Sequence, residues 1–312
     1  MSRIYEALQR ADRERQTAHG PGVEHFAEPA VASDAVASDI EEPPPARTDA
    51  ILQNIAHYQW KPIAASLPTL ADRGPGVEQF RSLRSRIYQA RYEAPVKTIL
   101  VSSGMPSEGK SFVAANLAMS LARNSENSIL LIDADLRRPT LHKLLGAHHV
   151  PGLAEYLSGN VELNAILQRD LSSESDEVAG QRGISNLTLI PSGKCGDNSS
   201  ELVSNHRIEE LVVNLAPHFD WIVIDSPPVL AVTDAVELAH AADAVLLVAR
   251  GATTPYAVAQ RTQAAFSNAR ILGFVLNDVQ YAPRRGYYYY YYYGGKEESG
   301  RGKERKDSGS QE

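Results

Sequence analysis

Six short runs of β-branched and aliphatic residues recur along the second two-thirds of the chain: Thr98–Ser102, Ile129–Ile132, Leu187–Ile190, Trp221–Ile224, Ala244–Ala249 and Ile271–Leu276. Each is almost continuously apolar, as strands covered on both faces of a parallel sheet are. Apolar residues at helical spacing fill the intervals, notably Lys110–Arg123, Glu201–Leu215 and Pro255–Ala269. A further helical signal runs from Val77 to about Arg91, ahead of the first run. Strand and helix in alternation predict a doubly wound α/β domain with a mostly parallel sheet over residues 75–282.

The flanks read differently. Ile4, Leu8 and Ala11 share one face of a short predicted helix over residues 1–16. Residues 17–74 are rich in Pro, Ala, Glu and Asp, include Pro43-Pro44-Pro45, and show no apolar period, so a flexible linker is expected there. Residues 283–312 are expected to form a mobile tail. That tail contains seven consecutive tyrosines, Tyr287-Tyr288-Tyr289-Tyr290-Tyr291-Tyr292-Tyr293. A homopolymer run supplies neither strand alternation nor a helical face, so burial in one core is not expected for it.

Composition narrows the function classes. Of 312 residues, 43% are hydrophobic and 22% charged, which suits a globular domain with polar ends. A net charge of -7 lacks the basic footprint of a nucleic-acid binder, so no nucleic-acid partner is expected. The single cysteine, Cys195, excludes an internal disulfide and suits a reducing cytoplasm. The charged N-terminus does not read as a signal peptide, and no apolar run approaches the roughly 20 residues that span a bilayer. A cytoplasmic location is expected, with any membrane role reached through a partner.

The chemistry concentrates at predicted strand ends. Gly104-Met105-Pro106-Ser107-Glu108-Gly109-Lys110-Ser111 fits G-x-x-x-x-G-K-[ST], lies between a predicted strand and a predicted helix, and is followed by Phe112. In that setting backbone N–H groups and a helix N-terminus converge on phosphate oxygens. Lys110 is expected against the β- and γ-phosphates of ATP, and the Ser111 hydroxyl on Mg²⁺. Two further runs end in carboxylates, Asp133-Ala134-Asp135 and Asp225. Open α/β sheets bind ligands at the carboxyl ends of their strands, so these aspartates are expected to face the phosphate loop. A strand-terminal Asp also serves as a plain helix cap, but a phosphate loop in the same sheet favours Asp133 and Asp225 as metal ligands beside Ser111.

These segments resemble the bacterial tyrosine kinase family, the cytoplasmic autokinases of capsule and exopolysaccharide synthesis, over residues 75–293. Besides the phosphate loop, the resemblance rests on Leu130-Leu131-Ile132-Asp133-Ala134-Asp135-Leu136-Arg137-Arg138-Pro139, similar to the family's Walker A′ segment. It rests also on Val223-Ile224-Asp225-Ser226-Pro227-Pro228, similar to its Walker B, and on the tyrosine cluster. It implies an autokinase that modifies Tyr287–Tyr293 in trans, with Lys110, Asp133, Asp135 and Asp225 in catalysis. Asp135 is the candidate base for the incoming phenol, whose own pKa lies near ~10. Arg137 and Arg138 are candidates for neutralising charge or gripping a neighbour's tail; an exposed basic pair is the plainer reading. Glu78-x-x-Arg81-x-x-Arg84 is similar to the family's ring-packing helix, implying a homo-oligomer, although spacing alone reads as a solvated helix with an internal ion pair. Asn277 stands where related folds read the adenine edge. A separate membrane-anchored co-polymerase as activator and a tyrosine phosphatase are the implied partners.

The sequence also departs from the pattern. Ser107 replaces the more usual loop glycine, and the proline-rich turn expected near Gly196–Leu202 is absent. A partitioning or septum-placement ATPase of the same loop class remains an alternative, although it would often carry an additional lysine early in the loop and has no need of a tyrosine run. An ATP-binding adaptor of a polysaccharide export complex is a second alternative, because the same residues serve binding and chemistry.

Overall fold

The apolar runs become strands whose side chains alternate between two separate cores. The computed structural model describes residues 55–171, 186–196, 199–203 and 206–279. In strand β2 (Thr98–Ser103), Ile99 and Val101 enter one core and Leu100 the other. In β3 (Ile129–Asp133), Ile129 and Leu131 oppose Leu130 and Ile132 in the same way. The pattern repeats in β6 (Trp221–Asp225) and β7 (Ala244–Arg250). A continuous apolar run is thus a period-two pattern with both phases apolar, because helices cover both faces.

Four more strands complete the sheet: β1 (Ala56–Tyr58), β4 (Gln168–Asp170), β5 (Leu187–Ile190) and β8 (Ile271–Asn277). The order is β1-β4-β5-β3-β6-β2-β7-β8, with every pairing parallel except β4 on β5. All six predicted strands are present. The chain leaves β2 for β3 on one side and later crosses to β7 on the other, with β6 between β2 and β3. The carboxyl ends of β2, β3 and β6 therefore open on one crevice.

Helix α1 (Pro75–Glu93) and helix α2 (Lys110–Ala122) cover one face. Short helices α3 (Leu141–Leu145), α4 (Leu153–Leu157) and α5 (Leu163–Ile166) follow β3. The predicted helix over Glu201–Leu215 is two helices, α6 (Ser199–Val203) and α7 (Arg207–Leu215). An unpredicted helix, α8 (Asp234–His240), follows β6, and α9 (Tyr256–Ala265) joins β7 to β8. The short helices escape a periodicity reading because four or five residues complete little more than one turn.

The predicted linker over residues 17–74 is corrected at its C-terminal part. Residues 55–74 belong to the folded domain: β1 pairs with β4, and the Trp60 N–H donates to Asp170 Oδ1 at 3.0 Å. Helix α2 explains why this segment is fixed. Its Asn116 is fully buried, accepts from the Thr69 hydroxyl at 2.7 Å and donates to the Ser66 carbonyl at 3.2 Å. Two 3₁₀ turns, Ala64–Ser66 and Pro68–Leu70, carry Leu67 into the core beneath α2. Such turns have no period to detect. The expectations for residues 1–16, 17–54 and 283–312 lie outside the described residues.

Leu67 is fully buried. Leu67→Ala is therefore expected to cost about 3 kcal/mol in chemical denaturation, as a core truncation does. A change under about 0.5 kcal/mol is what a surface position gives and would mark residues 55–74 as peripheral.

Candidate active site

The phosphate loop leaves β2 and enters α2 at Lys110. Gly109 has φ 94°, and a Cβ there would fall 1.9 Å from Asn277 Nδ2. The position needs glycine for both conformation and space. Ser107, where a glycine is more usual, also sits at positive φ, 65°. A non-glycine residue in this region costs about 1–2 kcal/mol, and the loop tolerates it because its neighbours are pinned. The Glu108 carboxylate folds back to accept from the Met105 N–H at 2.8 Å and from the Thr254 hydroxyl. The Asn277 amide donates to the Glu108 carbonyl at 3.0 Å. Asn277 thus braces the loop backbone, a contact absent from its expected role at an adenine edge.

Three carboxylates meet one lysine in the crevice. Asp133 and Asp225 face each other in register on β3 and β6, and both are fully buried. Asp133 Oδ2 accepts from the N–H groups of Thr140 and Leu141, at 3.1 and 3.0 Å, at the start of α3. Asp133 Oδ1 and both oxygens of Asp225 are buried and, among the described residues, have no hydrogen-bond partner of ordinary geometry. Asp135, 2% exposed, accepts from Lys110 Nζ at 2.8 Å and from the Arg138 N–H at 3.0 Å.

Burial dominates the electrostatics. It pushes Asp133 well above the usual carboxylate range, with the Asp225 charge adding to it against the N–H groups of Leu141 and Thr140. It raises Asp225 to about 6, although the Lys110 charge and the nearby Ser111 hydroxyl pull the other way. Burial alone would lower Lys110, but the charges of Asp225, Asp135 and Asp133 outweigh it and hold the ammonium above its ordinary value. Buried carboxylate oxygens without partners, beside a half-buried lysine and the Ser111 hydroxyl, form a donor set suited to a hard, oxygen-binding cation and a polyphosphate. Among the described residues no three His, Cys, Asp or Glu side chains converge as a complete metal cage. A Mg²⁺ ion here would share its shell with phosphate oxygens and water, as that ion ordinarily does.

An open cavity of about 600 Å³ lies over these groups, within the range of small-molecule sites. Lys110, Ser111 and Asp135 line it together with Arg137 and Arg138; Phe112, Leu144, Pro227 and Ala231 supply apolar wall. Ser66, from the segment read as linker, also borders it. The structure thus brings together Gly109, Lys110, Ser111, Asp133, Asp135 and Asp225. The sequence reading missed Ser200 and Asp234, which hold Arg137. Asp234 opens α8 and reads as a helix cap, and Ser200 lies in a polar stretch with no distinctive spacing.

Glu78 and Arg81 form an ion pair of 3.1 Å with both side chains more than half exposed. Arg84 instead turns inward, donating to the Ser120 carbonyl and tying α1 to α2. Tyr287–Tyr293 lie outside the described residues.

Comparison with known proteins identifies relatives in sequence and fold. A family profile described as an AAA domain matches residues 96–262. The tyrosine-protein kinase ptk of Acinetobacter johnsonii is 36% identical over 220 residues, 69% of this chain but only 28% of that relative. The tyrosine-protein kinase YwqD of Bacillus subtilis is 34% identical over 212 residues, covering 67% of this chain and 84% of the relative. Among solved structures, the kinase domain of Escherichia coli tyrosine kinase ETK superimposes with a TM-score of 0.58 at 33% identity. That match covers 68% of this chain and 79% of the kinase domain. The chain spans little more than a quarter of the length of the longer relatives it matches.

The raised Asp225 pKa sets a pH dependence. The folded state keeps its proton up to about pH 6, whereas the unfolded carboxylate loses it near ~4. Over that window the folded state binds more protons, so this group's contribution to stability falls as pH rises. Asp225→Asn removes the effect. Without Mg²⁺ and nucleotide, the variant is expected to gain about 2–3 kcal/mol relative to wild type between pH 4 and pH 7 in chemical denaturation. A difference that stays constant with pH would contradict the raised pKa.

Proposed function

The chain belongs to the bacterial tyrosine-kinase family, and on that premise we propose that it is an ATP-dependent protein-tyrosine autokinase whose acceptors are Tyr287–Tyr293 of a neighbouring copy. The observation that carries this reading is the Lys110–Asp135 pair, 2.8 Å apart at the mouth of the phosphate loop. Phosphate oxygens compete with Asp135 for the Lys110 ammonium. Nucleotide binding therefore frees Asp135 Oδ2 beside the phosphoryl group that is to be transferred. Asp135 then accepts the proton of an incoming tyrosine hydroxyl. The phenolic oxygen bonds to the γ-phosphorus, the bond to the β-phosphate oxygen breaks, and ADP leaves with that electron pair. Lys110 and the loop N–H groups neutralise the charge on the phosphates.

Ser111, Asp133 and Asp225 would hold Mg²⁺; the buried oxygens of Asp133 and Asp225 that lack an ordinary partner among the described residues fit it. When bound, the ion supplies charge neutralisation at the phosphate oxygens. Phe112, Leu144, Pro227 and Ala231 give an aromatic acceptor an apolar wall to lie against.

Control of polysaccharide synthesis and export is carried by the family resemblance. So are a separate membrane-anchored co-polymerase as activator, an opposing tyrosine phosphatase and a ring of subunits through Glu78, Arg81 and Arg84. No helix among the described residues is long and apolar enough to cross a membrane. A cytoplasmic protein recruited to the inner face of the membrane by that activator fits this. Each phosphate on the tail adds about -1.5 to -2 charge, so a heavily modified tail is repelled from the carboxylate-rich site.

Phosphotyrosine mapping by mass spectrometry tests the proposal. Wild type and Lys110→Met are incubated with ATP and Mg²⁺, with and without the cytoplasmic segment of a candidate membrane activator. Phosphate on Tyr287–Tyr293 in wild type alone is expected. ATP hydrolysis without phosphotyrosine under either condition would sink the kinase reading in favour of an ATPase or an adaptor.

A further inference from the structure

Two adjacent arginines border the cavity, and the fold treats them differently. The Arg138 side chain is exposed, and among the described residues its guanidinium makes no hydrogen bond or ion pair. Arg137 is anchored. Its Nε donates to Asp234 Oδ2 at 3.1 Å and its Nη2 to Ser200 Oγ at 2.6 Å. The Ser200 hydroxyl in turn donates to Asp234 Oδ1 at 2.8 Å, closing a ring of three bonds. The Asp234 carboxylate is 4% exposed, whereas the Arg137 side chain is 43% exposed.

That asymmetry bears on purpose. An ion pair with one partner this open to solvent adds little to stability. What it does is order a long side chain that otherwise samples many rotamers. The anchors use Nε and one edge of Nη2, which leaves Nη1 and the other Nη2 donor uncommitted among the described residues. Arg137 shares the cavity lining with Lys110, Asp135 and Ser111. Its anchors come from elements remote in sequence, Ser200 from α6 and Asp234 from the start of α8. Ser226, Pro227 and Pro228 lead from Asp225 at the end of β6 to the turn that precedes α8.

We infer that Ser200 and Asp234 are positioning residues for phosphoryl transfer: they hold Arg137 as a fixed arm whose remaining donors meet the negative charge developing on the transferred group. The inference rests on the kinase reading above and adds the residues that orient its charge-neutralising arginine. A preorganised donor costs no reorganisation when the reaction occurs, which is where most of its effect arises. A loose arginine would pay its rotamer entropy at that moment. Ser200 is not among the residues that line the cavity, so its effect runs through Arg137.

The experiment is a double-mutant cycle in the full chain, read as initial rates of ATP-dependent tyrosine phosphorylation. Arg137→Ala is expected to lower kcat about 100-fold, the scale seen when one preorganised donor is removed. Ser200→Ala is expected to lower kcat about 10-fold with the ATP KM changed less than about threefold. Ser200→Thr, which keeps the hydroxyl, restores most of the rate. On the Arg137→Ala background, Ser200→Ala is expected to cost less than about twofold more, because the two residues act as a unit. Equal losses from Ser200→Ala on both backgrounds, or an effect confined to KM, would overturn the positioning role. Wild type that makes no phosphotyrosine overturns the kinase reading and the inference with it, and that result is visible without any variant.

Discussion

The site follows from placing Asp133, Asp135 and Asp225 at the carboxyl ends of β3 and β6, with Asp135 paired to the Lys110 ammonium and the other two charges acting on it. Asp133 and Asp225 are fully buried on neighbouring strands, and Asp135 is nearly so. Ionised carboxylates are costly there unless neutralised. Lys110 and the N–H groups of Thr140 and Leu141 offset part of that cost, and Asp133 Oδ1 and both Asp225 oxygens have no hydrogen-bond partner of ordinary geometry among the described residues. The fold thereby stores an electrostatic demand that a cation and a polyphosphate would satisfy together. Folding supplies the stability for this, through two cores built from strands buried on both faces.

Much of this arrangement was legible in the sequence. The six apolar runs gave the strands because helices on both faces make every strand position apolar, and that leaves a strong signal. The phosphate loop and the strand-terminal aspartates were legible for a related reason. In this topology the residue just past a central strand has few places to be except the crevice. Asp133 and Asp225 end β3 and β6, on the same edge from which β2 feeds the loop.

What escaped was structure held by single polar contacts rather than by periodicity. Residues 55–74 look like linker because they form one short strand and two 3₁₀ turns, yet buried Asn116 fixes them to α2 and Ser66 reaches the cavity. Asn277 shows the converse. It follows the last apolar run, as the sequence reading has it, and the sequence carries no sign that its amide donates to the Glu108 carbonyl beside Gly109. Likewise Arg84 lies at the spacing of an interface residue, and spacing does not show that one of its guanidinium nitrogens donates to the Ser120 carbonyl of its own domain. The Ser200–Asp234 anchor of Arg137 joins segments far apart in the chain, which no local pattern reveals.

We propose that the buried Asp225 and Asp133 oxygens left without an ordinary partner among the described residues receive a magnesium-bound nucleotide. Calorimetric titration of ATP into the full chain, with Mg²⁺ or with a chelator, tests it most directly in wild type and Asp225→Asn. Mg²⁺ is expected to tighten ATP binding by at least about tenfold in wild type, or about 1.4 kcal/mol, and the variant to lose most of this gain. Equal affinity with and without Mg²⁺ in wild type, or an undiminished gain in the variant, would contradict it.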